Sequence, residues 1–180
     1  INTICIYFIQ SIPSNAIVAK QHYQAQQQWQ HRSSKFEIQK SKEDDISNHL
    51  VCIDNDFFPK LSSILNLKSF AKKINDKTIR FEAWVGRQLI GLVSVYYNNF
   101  ESKIGYVNHV GVLKRYRGLG ISNTLISNAI QYGKEKGFEY LKLEVSKDNA
   151  VAKLLYEKHN FYIVIKGGNK VQMCKKFNNE

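Results

Sequence analysis

The chain is poor in residues that staple, clamp or anchor a protein. Cys5, Cys52 and Cys174 are the three cysteines in 180 residues, an odd number set far apart. No disulfide framework follows from them, and a reducing, cytoplasmic setting is the expectation. No C-x-x-C occurs, and His22, His31, His49, His109 and His159 show no metal-ligand spacing, so no metal is expected. The longest apolar run, Ile4 to Ile9, falls far short of a membrane span. It also lacks the basic start and small-residue cleavage site of a signal peptide. The first residue is Ile1 rather than Met, which leaves a start further upstream open. Acidic residues are scarce: 15 Asp and Glu stand against 26 Lys and Arg, a net charge of +11. That excludes an acidic solvating chain and points to an anionic partner. Nucleic acid, an anionic membrane surface and a phosphorylated small molecule all qualify.

The composition is otherwise that of a globular domain, with 43% hydrophobic and 23% charged residues. The chain divides near residue 34. Residues 1–34 hold seven glutamines, no acid, and only Lys20 and Arg32 as fixed charges. The stretch Gln24 to Gln30 is compositionally biased and carries no strong period. This segment reads as an appendage or poorly ordered arm, or alternatively as a partner-binding arm. Residues 35–180 read as a single domain.

From Lys35 the patterning is regular. KFEIQK alternates as a strand does, and Ser41 is a candidate cap for a helix whose Ile46, Leu50, Ile53 and Phe57 share a face. Pro59 ends that run, and a second helix over Lys68 to Asn75 turns Phe70, Ala71 and Ile74 inward. Three strands follow, Thr78 to Val85, Leu89 to Tyr97 and Tyr106 to Leu113, joined by short turns as in an antiparallel meander. Then come a helix from Gly118 to Lys136, a strand YLKLEV, a helix from Asn149 to His159, and strands FYIVIK and VQMCKKF. The expected fold is α/β: a mixed central sheet flanked by helices, in the order β-α-α-β-β-β-α-β-α-β-β.

The most informative segment runs from His109 to Ile126. A strand ends at Leu113, a loop carries Arg115, Tyr116, Arg117, Gly118, Leu119 and Gly120, and a helix opens. A helix start offers unpaired N–H groups and partial positive charge, which suit a phosphate. Glycines let a ligand approach the backbone. Between Ser102 and Gly120 stand four basic residues and no acid. The loop has no G-K-[S/T], so it is not a Walker A loop. Asn123 occupies the third glycine position of a dinucleotide fingerprint, which excludes that motif too. What remains is R-x-x-G-x-G, on Arg115, Gly118 and Gly120.

This loop resembles the coenzyme A pyrophosphate loop of the GNAT superfamily of N-acetyltransferases. About 29 residues on, Asn149 to Phe161 (NAVAKLLYEKHNF) resembles the family's second signature, N-x-x-A-x-x-L-Y-x-K-x-G-F. Asn149, Ala152, Leu155, Tyr156, Lys158 and Phe161 match; Asn160 stands where the family usually has Gly. Asn tolerates left-handed backbone next best, so the turn is expected to survive. The resemblance covers about Lys35 to Phe177.

The resemblance implies acetyl-CoA as cosubstrate and a primary amine as acceptor. It assigns the pantetheine arm to Val110, Gly111 and Val112, with Gly111 suited to a bulge. It assigns the pyrophosphate to the amides from Arg117 to Ser122, that is Arg117, Gly118, Leu119, Gly120, Ile121 and Ser122, with Arg115 alongside. Asn149 would reach the pantetheine or the strand facing it, and Tyr156 would lie near the thioester sulfur as proton donor. The general base stays open among His109, Glu82, Glu144 and water. Asp54 and Asp56, beside Phe57 and Phe58, could hold an amine and an apolar or sugar face, or form a solvated helix end with Phe57 in the core. In the family a run similar to Phe57 to Ser62 (FFPKLS) goes with small-molecule acceptors, amino sugars among them. The competing readings are a protein lysine or N-terminal acetyltransferase, a non-catalytic coenzyme A sensor and a basic nucleic-acid-binding module. Tyr116 between Arg115 and Arg117 is the only basic–aromatic cluster, so no nucleic acid and no membrane are expected as partners. Monomer and homodimer stay open.

Overall fold

A computed structural model describes residues 16–31, 35–57 and 59–177. The elements are α1 (Ala16–His31), β1 (Lys35–Ile38), α2 (Glu43–Ile53), α3 (Leu61–Ile64), α4 (Leu67–Lys77), β2 (Ile79–Val85), β3 (Gln88–Tyr96) and β4 (Ile104–Val112). They continue as α5 (Ile121–Glu135), β5 (Tyr140–Ser146), α6 (Ala150–Lys158), β6 (Tyr162–Gly167) and β7 (Lys170–Lys176). The seven strands form one sheet in the order β1-β2-β3-β4-β5-β7-β6. The expected α/β order from Lys35 is present, with the four-residue α3 added between the first two helices.

Helix α2 forms because Ile46, His49, Leu50 and Ile53 repeat at helical spacing and bury one face. Glu43, Asp44 and Asp45 fill its first turn, where the helix dipole favours negative charge. Ser41 is not its cap. Lys42 holds that position, and the Lys42 N–H donates to Asp45 Oδ2 at 2.9 Å. Ser41 is instead buried against β2, as described below. Phe57 is not helical either: the chain turns through a 3-10 segment at Asp54–Asp56, and Phe57 is extended and buried. Helix α4 starts at Asn66, whose Oδ1 accepts the Ser69 N–H, and buries Phe70, Ala71 and Ile74.

Every neighbouring pair in the sheet is antiparallel except β4 with β5. A parallel pair needs a crossover, and α5 supplies it. The β4–β5 pairing covers only Ile104 to Tyr106 against Tyr140 to Lys142. Beyond Tyr106 the two strands part, and the edge of β4 that faces β5 no longer pairs with it. One bulge lies in β4: Ser94 pairs with His109 and Val95 with Val107, so Asn108 is the extra residue. Gly111, the residue suited to a bulge under the resemblance, lies in regular register opposite Leu92.

The arm before residue 34 holds a helix. Within α1 Ala25 is 2% exposed, and the helix packs against the 3-10 turn Lys114–Tyr116. The sequence hides it because no acid marks its first turn and its apolar residues do not fall on one clear stripe. Cys5 and the first fifteen residues lie outside the described residues. No helix among the described residues is long and apolar enough to cross a membrane.

Candidate active site

The loop between β4 and α5 turns backbone rather than side chains toward a cleft. Gly118 and Gly120 both have φ of +78°, the left-handed region where a Cβ is strained. Gly120 is the N-cap of α5, and no side chain among the described residues caps that helix. Its first N–H groups are therefore left for another acceptor. They border a cleft of about 180 Å³ lined by Tyr116, Arg117, Gly118, Gly120, Ile121, Ser122 and Asn123 on one side. Val151, Ala152 and Leu155 of α6 line the other side. No acid lines the cleft, and the buried Asn123 Oδ1 has no hydrogen-bond partner among the described residues. Glycine backbone, an uncapped helix start and positive lining fit a pyrophosphate. The loop and the α6 signature, distant in sequence, thus share one cleft.

The two arginines of the loop are placed differently. The Arg117 guanidinium donates to Val112 O at 3.0 Å and to Asp56 Oδ2 at 2.6 Å. Burial lowers its pKa, and Asp56 opposes that shift. Arg117 thus fastens the Asp54–Asp56 turn to the end of β4 while still lining the cleft. Arg115 reaches Gln88 Oε1 and lies 4.9 Å over the Tyr116 ring, outside the cleft lining. Leu119 is partly buried against the core. Val110 and Val112 are buried in β4.

Asn149 is the N-cap of α6, its Oδ1 accepting the Ala152 N–H at 3.0 Å. That bond orients the helix carrying Tyr156. Tyr156 is fully buried, with its ring 5.7 Å from Phe161. Its hydroxyl has no hydrogen-bond partner among the described residues, and burial raises its pKa. Asn160 adopts φ of +61°, so the turn after α6 keeps its left-handed geometry without glycine.

Of the base candidates, Glu82 is fully committed. It is completely buried and accepts from Ser41 N, Ser41 Oγ at 2.6 Å, Lys40 N, Trp84 Nε1 and Arg80 Nε. A carboxylate so engaged has no lone pair to spare for an amine. Glu144 lies on β5 opposite Gln172, with its carboxylate 3.6 Å from Lys170 Nζ. His109 is 1% exposed, with its pKa lowered to about 3, chiefly by burial and secondarily by His49. Asp54 is committed as well, accepting Ser62 N and Ser62 Oγ at 2.7 Å each. With Asp56 paired to Arg117, the acids read as amine holders instead brace the chain between α2 and α3. Phe57 is in the core, and Phe58 lies outside the described residues.

Sequence reasoning missed the α6 residues of the cleft, Val151, Ala152 and Leu155, as lining groups. It also missed His49, whose one visible signal is its place on the apolar face of α2. Among the described residues no cluster of three His, Cys, Asp or Glu could hold a metal.

A mixed seven-stranded sheet with a parted parallel pair and a glycine loop at a helix start defines an α/β protein with a cleft suited to a phosphate-bearing ligand. The acetyltransferase (GNAT) family model matches residues 43–161, and the chain belongs to that family. Its activity is acetyl transfer with acetyl-CoA as cosubstrate. The chain is similar in fold to the PaiA N-acetyltransferase of Thermoplasma acidophilum, solved with coenzyme A. That match has a TM-score of 0.62 and 18% identity, over 79% of this chain and 99% of that one. It is similar to the ribosomal-protein-S18-alanine N-acetyltransferase of Escherichia coli, with a TM-score of 0.64 and 16% identity, over 81% and 96% of the two chains. A GNAT-family acetyltransferase of Streptococcus pneumoniae matches at 0.59 and 20%, over 80% and 100%. No curated protein sequence matches the chain.

Proposed function

We propose that the chain moves an acetyl group from acetyl-CoA directly to the primary amine of a small molecule. The observation that supports this most is the shared cleft, where the loop Tyr116 to Asn123 meets Val151, Ala152 and Leu155 of α6. In this reading the α5 N-terminus holds the pyrophosphate. The free edge of β4 beyond Tyr106 takes the pantetheine arm as an added strand would, through backbone hydrogen bonds. Backbone N–H groups on that edge polarise the thioester carbonyl. Tyr156, raised in pKa and therefore fully protonated at neutral pH, donates a hydrogen bond to the departing sulfur. The amino-sugar form of the reading has lost support, because Asp54 and Asp56 are bound to Ser62 and Arg117.

Thermal melting with acetyl-CoA tests the binding step. A saturating ligand raises the melting temperature, and no rise at millimolar acetyl-CoA refutes the proposal. Thiol release against a panel of small amines, and against peptides with free N-termini or lysines, then separates the acceptor classes. Faster release with the peptides refutes the small-molecule acceptor. Tyr156→Phe is expected to keep the acetyl-CoA shift and lower kcat by about 100-fold or more.

A further inference from the structure

The two faces of the sheet are unequally covered. Successive residues of a strand point to opposite faces. On β5, Leu141, Leu143 and Val145 are fully buried, on the face that α5 covers. Tyr140, Lys142 and Glu144 alternate with them onto the other face, and all three are partly exposed. Register runs straight across that face, from Tyr96 through Tyr106 and Lys142 to Cys174 and Tyr162. At the β3 end Lys73 of α4 lies 5.8 Å over the Tyr96 ring, so α4 covers this part. Past β4 the cover stops: Tyr162 and Ile165 of β6, on the same face, are 51% and 57% exposed. The open half carries Lys142, Lys170 and Lys176 against Glu144 as its acid. Glu144 lies 3.6 Å from Lys170, whereas Lys142 has no ion-pair partner among the described residues.

The place of Lys142 gives this charge a role. Pairing of β4 with β5 ends at the Tyr106–Lys142 rung, so Lys142 stands where the strands part. Glu144 is the next residue on its face, about 7 Å further along β5. The glycine loop follows the far end of β4, and its cleft lies between α5 and α6. An acyl arm leading from that cleft along the free edge of β4 runs toward the Lys142 rung. Its phosphates hold the α5 side, which leaves the opposite face for the acceptor. We infer that the acceptor is a small amine that also bears a carboxylate, with Lys142 binding the carboxylate and Glu144 attracting the ammonium. The inference rests on the acetyltransferase reading for its reaction, and on the open charged face for its acceptor. A zwitterion of the amino-acid type matches two opposite charges two residues apart on one strand. A purely cationic amine meets three lysines and an acid already shared with Lys170, and is repelled. The ammonium first gives one proton to solvent. The C–N bond then forms as the C–S bond breaks, and a further N–H proton ends on the sulfur. The net change is zwitterion plus thioester to N-acetyl carboxylate, thiol and one proton. Glu144 then faces a neutral amide and ceases to hold the product.

Thiol release with matched acceptors tests the inference. The probes are α- and ω-amino acids, each against its own carboxamide, with rates compared per unprotonated amine. In the unchanged chain kcat/KM is expected to be about 10-fold or more higher for the carboxylates, as a charge-assisted hydrogen bond gives. Lys142→Met is expected to bring each pair within about threefold, with the KM for acetyl-CoA and its melting shift intact. Lys142→Arg should restore the preference, which a merely structural role would not do. Equal or faster release with the carboxamides in the unchanged chain overturns the inference, and so does a preference that survives Lys142→Met. Should the variants fold poorly, the ratio in the unchanged chain decides by itself. Absence of an acetyl-CoA melting shift strikes the parent reading, and release from peptides with none from amino acids strikes its small-molecule acceptor. A normal shift with turnover indifferent to the carboxylate strikes the acceptor class alone.

Discussion

Acidifying the protein from pH 7 to pH 5 charges two imidazoles in the unfolded chain that the folded chain keeps neutral. Burial lowers the pKa of His49 from 6.5 to about 4 and that of His109 to about 3. Between those values and 6.5 the unfolded state binds more protons, so stability falls as pH falls through this window. It is unaffected by these groups well above pH 6.5. Each histidine costs about 1.4 kcal/mol per pH unit below 6.5 until its folded value is reached. At pH 5 that amounts to roughly 2 kcal/mol apiece and roughly 4 kcal/mol together. Neither is protonated in the folded state at pH 5, so their mutual repulsion does not alter the sum. A chain of this size loses roughly 2–4 °C of melting temperature per kcal/mol, so the drop is about 8–16 °C. The assay is circular dichroism melting at both pH values, for the unchanged chain and for a His49→Gln/His109→Gln double variant. The double variant should lose about 4 kcal/mol less on acidification, whatever its stability at pH 7. Equal pH dependence in the two proteins refutes the reasoning.

Other outcomes follow from single contacts. Gly111→Ala drives a methyl against Ile53, His49 and His109, and is expected to cost about 1–3 kcal/mol in denaturant unfolding. Glu82→Gln leaves Arg80 buried without its charge partner and is expected to cost about 3–5 kcal/mol. Its kcat per folded molecule, at a temperature well below melting, should be unchanged, because Glu82 is a structural acid. Asn149→Ala removes the α6 cap and should lower stability by about 0.5–2 kcal/mol on urea titration. Asp56→Asn removes the negative charge beside Arg117, which still donates to Val112 O, so a changed KM for acetyl-CoA at little cost in kcat is expected from steady-state kinetics.

The fold was readable in sequence wherever a local rule governs it. Alternation marked β2, β3 and β4, and helical spacing of Phe70, Ala71 and Ile74 marked α4. The glycine loop and the α6 segment were readable because each is short and its backbone geometry demands particular residues. Pairings across the chain were not. Periodicity shows that His49, His109 and Glu82 are buried but says nothing of partners 40 to 60 positions away. Glu82 looked available because its five donors come from Lys40, Ser41, Arg80 and Trp84, in two strands' worth of chain. Asp54 and Asp56 looked like a local cluster, yet one accepts the Ser62 N–H in the first turn of α3 and the other crosses to Arg117. The four residues of α3 are too few to show a period.

Helix α1 bears on how the protein is handled in the laboratory. Trimming the chain at Lys35, where composition shifts, would look like a clean cut. It would remove the helix that covers the Lys114–Tyr116 turn and with it the buried Ala25. That turn leads directly into Arg117, Gly118 and Gly120. A shortened version would therefore bring newly wetted surface next to the glycine loop. Its affinity for acetyl-CoA is then a property of the truncation, and comparison with the longer chain is the proper control.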